Sequence, residues 1–261
     1  MEADLFTMQF AKLFPEINLV LGSGMMIFAR IIGLIQFAPP FNRNDIPSYV
    51  RLSLALILTV IITMIIKPSP IPNGTSIILS LALNFTFGFL IGYIINCIMG
   101  AVSSAGDIIN SQIGVSSATI LDPSTGSQAS LMGGFFNILA ILIFMSIGGM
   151  YWTINALIRS FTIFPVYAAS LPLDKVINVD YLVQITSNTF VVGMQIASPI
   201  LLATLGQDII LGTISKTAPQ VNVFQMSFLF KPVMGAMILM WVMPMLINVI
   251  GEYLQSFANI F

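Results

Sequence analysis

The stretch GQDIILGTISKTAPQVNVFQMSFLFKP, Gly206 to Pro232, joins two long apolar runs through a polar, proline-broken segment. Three charges stand in it (Asp208, Lys216 and Lys231), beside the cluster Pro219-Gln220-Val221-Asn222. Only 7% of the chain is charged and 57% is hydrophobic, so polar groups between lipid-grade segments have to be accommodated by other protein or by a watery path. The chain is therefore expected to do more than anchor itself in a membrane.

Working outward from that stretch, six apolar runs are read: Ile17–Ala38, Val50–Ile66, Ile77–Val102, Leu131–Ile158, Tyr181–Leu205 and Val233–Ile250. Each is near or above the ~17–25 residues that cross hydrocarbon at ~1.5 Å per residue. The fourth is expected as a bent helix or as two shorter ones around Gly148-Gly149. Breakers separate the runs at Pro39-Pro40, Pro68/Pro70/Pro72, Asp122-Pro123, Pro165, Pro172 and Pro219. No fixed-period repeat or linker is visible, and residues 1–261 are expected as a single integral membrane domain of the all-α class. With a mean hydropathy of +0.98, no soluble domain of this length has the polar surface to stay dissolved.

Composition excludes several function classes. A net charge of −1 supplies no basic field for nucleic acid. Histidine is absent, which removes histidine metal sites, histidine bases and the usual switch near neutral pH. With one cysteine, Cys97, neither an intrachain disulfide nor a cysteine metal cluster can form; Cys97 is read as a small buried hydrophobe. The N-terminal MEADLFTMQFAKLFPE carries acids where a secretory signal would carry Lys or Arg, so no cleavable signal is expected. No metalloprotease, P-loop, nucleophile-elbow or dinucleotide motif is present, and neither enzyme activity nor a cofactor is expected.

Orientation signals cancel. With an outer N-terminus, Arg43, Arg51, Lys216 and Lys231 fall inside, while Lys12, Lys67, Arg159 and Lys175 fall outside. A balance of this kind is uncommon for an ordinary six-span protein and points to an unconventional position in lipid. Arg30, inside IFARIIGLIQFAPPF, either snorkels to the interface or finds an acid or carbonyls inside a helical assembly. Arg43, Asp45 and Arg51 flank Pro47 in a turn that opens a helix. The stretch Ser103–Ser130 holds no Lys or Arg and is rich in small and polar residues, so it is either an exposed loop or a buried, pore-facing segment. Asn84 and Asn96 are expected to hydrogen-bond between helices. Many of the sixteen methionines concentrate in the apolar runs, as deformable filler.

Three stretches, ARIIGLIQFAPPFNRNDIPSYVRLSLAL (29–56), GDIINSQIGVSSATILDPSTGSQ (106–128) and LGTISKTAPQVNVFQMSFLFKPVMG (211–235), resemble in order and spacing the FliR family of flagellar export-gate proteins, called SctT in injectisomes. The chain departs from the family pattern at Asp107, often Glu there, and at IGGMYW (147–152). The resemblance implies about six apolar helical segments, broken and arranged as hairpins, in a pore-forming hetero-oligomer with FliP-like and FliQ-like subunits and an FlhB-like subunit at its base. Unfolded polypeptides pass through such a pore, in the bacterial inner membrane at the flagellar basal body. The implied plug comprises Gly106, Ile109, Gln112, Ile113, Gly114 and Val115, continuing through Ser117, Ala118, Thr119, Asp122 and Pro123. Assembly and packing are implied for Arg30, Pro39, Pro47, Arg51 and Gly212, and for Pro219, Gln220, Asn222, Phe224 and Lys231. The equivalent subunit of a virulence injectisome is the alternative. A small secondary transporter using Arg30, Asp208 and Glu252 is a more distant one.

Overall fold

A computed structural model describes residues 15–43, 46–66, 76–114, 130–167 and 179–257. Among them there are seven α-helices and no strand: α1 (Pro15–Phe37), α2 (Ser48–Ile65), α3 (Ile77–Ile113), α4 (Leu131–Ser146), α5 (Gly149–Ile163), α6 (Val179–Thr217) and α7 (Val223–Ser256). Five are long and apolar enough to cross a membrane, six spans if α4 and α5 count as one. This is an all-α membrane protein. The fourth apolar run does divide where its glycines stand: Gly148 adopts φ 85°, a left-handed conformation that residues with a Cβ avoid, and the helix stops there.

The helix ends follow from local chemistry. Pro47 precedes α2 with φ −60° and ψ 146°, and its carbonyl accepts from Val50 N at 3.0 Å. Ser130 caps α4 by accepting from Gly133 N at 2.9 Å, and Asn222 caps α7 by accepting from Gln225 N at 3.2 Å. In α6, Asp180 stands in the first turn and Lys216 in the last, both matched to the helix dipole. Thr217 ends α6, as Pro219 two residues on requires. Gly114, at φ 81°, ends α3.

The chain divides into two compact units, Met1–Asn96 with Tyr151–Asp180, and Cys97–Met150 with Tyr181–Phe261. In the first unit α1 is the hub and packs on α2. It crosses α3 at backbone-to-backbone distance: a Cβ on Gly33 would strike the Phe85 carbonyl, one on Gly88 the Arg30 carbonyl, and one on Gly92 would meet Leu34 O at 2.8 Å. Gly88 and Gly92 stand one helical turn apart, the small-residue spacing that lets apolar helices approach without side chains between them. Phe37 packs edge-on against Phe89 beside this crossing, with ring centroids 4.3 Å apart.

In the second unit the C-terminal half of α3 is the hub. Ala101, Val102, Ala105, Ile109 and Ile113 recur at helical spacing and are all buried. Against this face Gly193 brings α6 close to Ala101 O and Ser104, and Thr189 Oγ1 donates to Cys97 O at 3.2 Å. Asn137 Nδ2 of α4 donates to Ser103 Oγ at 3.0 Å. Cys97 is half-buried and lies 4.0 Å from Thr186 Oγ1. Helices α6 and α7 form a hairpin, closed by Lys231 Nζ and Asp208 Oδ1 at 2.6 Å, positions about equally far from the connecting turn.

Candidate functional site

Two arrangements stand out, one in each unit. In the first, Arg30 is fully buried on α1. Its Nε and Nη2 both donate to Asn84 Oδ1, at 3.1 and 2.6 Å. Nη1 donates to Ser160 Oγ at 3.0 Å and Nη2 also to Phe164 O at 2.8 Å. The guanidinium lies 4.0 Å from the centroid of the Phe161 ring. Of the two readings of Arg30, the structure selects carbonyls and neutral side chains inside a helical assembly. No acid shares the cage among the described residues. The compensation is dipolar: Phe164 O belongs to the C-terminal end of α5, where the helix presents partial negative charge, and the Phe161 ring adds its π face. Asn84 is held in turn by donating Nδ2 to Ser80 O at 2.8 Å and to Val166 O at 3.0 Å. Asn96 differs from expectation: it is exposed and makes no interhelical bond among the described residues.

The second arrangement is the end of α3 with its neighbours. Residues 103–113, expected as part of an exposed loop or of a buried, pore-facing segment, are the C-terminal part of α3 and not a loop; Ile109 and Ile113 are buried and Gly106 backs onto α4, where a Cβ would come 2.5 Å from Met132 O. Beside this contact Asp107 Oδ1 lies against Gly133, in the first turn of α4, where the helix dipole favours a carboxylate. Ile113 inserts its side chain where a Cβ on Gly235 of α7 would stand, 2.6 Å from Ile113 Cγ1. Gln112 and Gly114 line a cleft of about 180 Å³ together with Phe224, Phe228, Lys231 and Pro232. Val115, Ser117, Ala118, Thr119, Asp122 and Pro123 lie outside the described residues.

The remaining expected site residues are spread over turns and surfaces. Pro39 lies in the turn after α1, and Pro47 stands at the N-cap of α2. Arg51 Nη1 donates to Asn42 Oδ1 at 3.1 Å. Gly212 has open space where a Cβ would be. Pro219 and Gln220 are exposed in the turn that Asn222 ends, and Phe224 is 82% exposed, so these face something other than this chain. The Asp208–Lys231 pair went unpredicted. Its signal was the rarity of charge in these runs, which makes two opposite charges near one turn natural partners. Half-buried Gln207 offers a second polar group on the same helix, its amide atoms shielded from solvent and neither partnered among the described residues.

The sequence pattern of the family described as bacterial export proteins, family 1, matches residues 21–257, a span that includes both arrangements. The chain belongs to that family. The FliR flagellar biosynthetic protein of Pectobacterium carotovorum is 31% identical over 232 residues, 88% of this chain and 87% of that protein. The Escherichia coli K12 FliR protein is 27% identical over 218 residues, 83% of this chain and 82% of its own length. The surface presentation of antigens protein SpaR of Shigella flexneri matches over less, 27% identical across 137 residues, 52% of this chain and 51% of that protein. The resemblance noted from three short stretches thus extends over almost the whole chain.

Proposed function

We propose that this export-family chain is a non-catalytic core subunit of a type III protein-export gate, forming with FliP-like and FliQ-like subunits the pore through which unfolded flagellar proteins pass. An FlhB-like subunit contacts its base, and the assembly sits in the bacterial inner membrane at the basal body. The observation that carries this beyond family membership is helix length. Helices α3, α6 and α7 have 37, 39 and 34 residues. At ~1.5 Å per residue each is roughly 50–60 Å long, against a hydrocarbon core of ~30 Å. Tilt of ~20–40° does not absorb that excess. Helices of this kind suit an apolar assembly that rises out of the bilayer and is covered by other subunits. Phe224, Leu229, Trp241 and Met240, all more than half exposed, supply surface for such subunits.

The breadth of the FliR matches favours a flagellar role over the injectisome one. The transporter reading needs ionisable groups free for a substrate, whereas Arg30 and Asp208 are both engaged within the chain. Under the proposed function the chain expressed alone is heterogeneous in detergent, and with FliP-like and FliQ-like subunits it enters one large complex. Deleting Gly114–Thr119 leaves that complex intact and raises its ion conductance, because the segment following α3 closes the pore. A monodisperse monomer that ignores those subunits overturns the gate assignment. A deleted complex that conducts like wild type overturns the plug assignment alone.

A further inference from the structure

The three prolines inside the long helices are not equivalent. Pro199 in α6 has no N–H to give the Gln195 carbonyl, and the hydroxyl of Ser198 takes its place, donating to that carbonyl at 2.8 Å. Pro232 and Pro244 in α7 deprive the Phe228 and Met240 carbonyls in the same way, and no side chain donates to either among the described residues. A helix missing a rung that nothing replaces bends there at little cost. Helix α6 is thus repaired and α7 is left bendable.

Of the two bendable points, the one at Pro232 stands next to an anchored residue. On its N-terminal side Lys231 is tied to Asp208 of α6. On its C-terminal side α7 packs along α4, with Gly251 against Ile143. One turn beyond Pro232 comes Gly235, buried, and the side chain of Ile113 occupies the space a Cβ would need. Ile113 is the last residue of α3 and only 1% exposed. While isoleucine stands at 113, a residue larger than glycine at 235 crowds this seat, and a bend at Pro232 moves Gly235 away from it.

We infer that Ile113 seated in Gly235 is a latch holding the end of α3 in its resting place, and that bending of α7 at Pro232 releases it during export. This inference rests on the export function proposed above. The seat can be locked covalently. A Cβ on Gly235 would lie 2.6 Å from Ile113 Cγ1. Ile113 Cβ is one bond further on, which places the two Cβ atoms within about 4 Å, inside the ~3.5–4.5 Å that a disulfide spans.

The test uses the complete complex with Cys97→Ala as parent, adding Ile113→Cys and Gly235→Cys. Co-purification reports assembly, and the amount of secreted flagellar protein reports export. The expected result is ready disulfide formation, unchanged assembly, and an export rate at least tenfold lower when oxidised that recovers on reduction. Undiminished export from the crosslinked complex overturns the latch, and failure of the disulfide to form overturns the seat. Separately, Pro232→Ala returns a donor to the Phe228 carbonyl and is expected to slow export several-fold with assembly unchanged, while Pro199→Ala leaves export as it was. Equal effects of the two proline changes overturn the hinge. A strain that exports equally well with and without this chain counts against the export function itself, not the latch.

Discussion

Replacing Arg30 by methionine tests the cage most directly. Methionine keeps much of the apolar stem and removes the guanidinium, so the Asn84 Oδ1 and Phe164 O acceptors lose their donors. Ser160 loses less, since its hydroxyl still donates to Leu157 O at 2.6 Å. Each buried acceptor left without a donor costs ~1–3 kcal/mol. The lost contact with the Phe161 ring adds up to about 2 kcal/mol, against which stands relief from burying a charge. The net is about 3–5 kcal/mol. Arg30→Lys is expected to be nearly as harmful, because three donors on a point charge cannot serve Asn84 twice while reaching Ser160 and Phe164. The double variant Arg30→Met with Asn84→Leu exchanges the unmet Asn84 Oδ1 for an unmet Val166 O, which Asn84 Nδ2 otherwise serves, so it is expected to recover little of the loss. The measurement is the thermal midpoint of the purified complex together with its abundance in membranes; the single variants are expected to fall by roughly 10 °C. A midpoint within about 2 °C of wild type for Arg30→Met refutes the reasoning.

Gly88→Ala drives a Cβ into the Arg30 carbonyl and is expected to cost more than the usual ~1–3 kcal/mol of overpacking, whereas Gly24→Ala, with nothing within 4 Å, is neutral or gains up to about 1 kcal/mol; abundance and thermal midpoint separate the two. Tyr167 has a buried hydroxyl with no partner among the described residues, and burial raises its pKa above the ordinary 10.0. Because the unfolded chain loses this proton first, the contribution is present below pH 10 and is lost as pH rises through the raised value, so Tyr167→Phe flattens the alkaline decline of the midpoint without lowering it at neutral pH. Asn222→Ala removes the cap on Gln225 N and costs about 1 kcal/mol in the isolated chain. Gln220→Leu, at an exposed turn position, leaves that stability unchanged and lowers the yield of the complex; an unchanged yield means the turn meets only solvent.

The apolar runs revealed most of the fold because residues able to face hydrocarbon leave little alternative to helix. The break at Gly148-Gly149 and the stop before Pro219 were equally legible, since both depend on local backbone chemistry. Where reading failed, tertiary packing decided. The third run ended at Val102 by composition, yet α3 continues to Ile113 because Ala105, Ile109 and Ile113 keep one apolar face turned to the hub of the second unit. The seventh helix extends from Val223, ten residues before the run read from hydropathy, since Asn222 caps it and the helix continues through Pro232. For Arg30 the choice between interface and interior turned on Asn84 and on a carbonyl at position 164. No sequence pattern near residue 30 names either.

The Arg30 cage also sets a schedule for biosynthesis. Its Asn84 bonds close across 54 residues of chain, but the bonds to Ser160 and Phe164 close across 130 and 134. At ~5–20 residues per second of synthesis, Arg30 waits about 7–27 s between its own emergence and the arrival of the Phe164 carbonyl. Until Asn84 emerges, about 3–11 s after it, an arginine that costs ~2.5–3.5 kcal/mol at the centre of a lone inserted helix has no resting place but the water at its edge, and from then until α5 arrives Asn84 is its one partner in the cage. The first of the described helices to leave the ribosome is therefore among the last to settle, and a nascent chain cut short before residue 160 is left with a greasy segment that no membrane holds well.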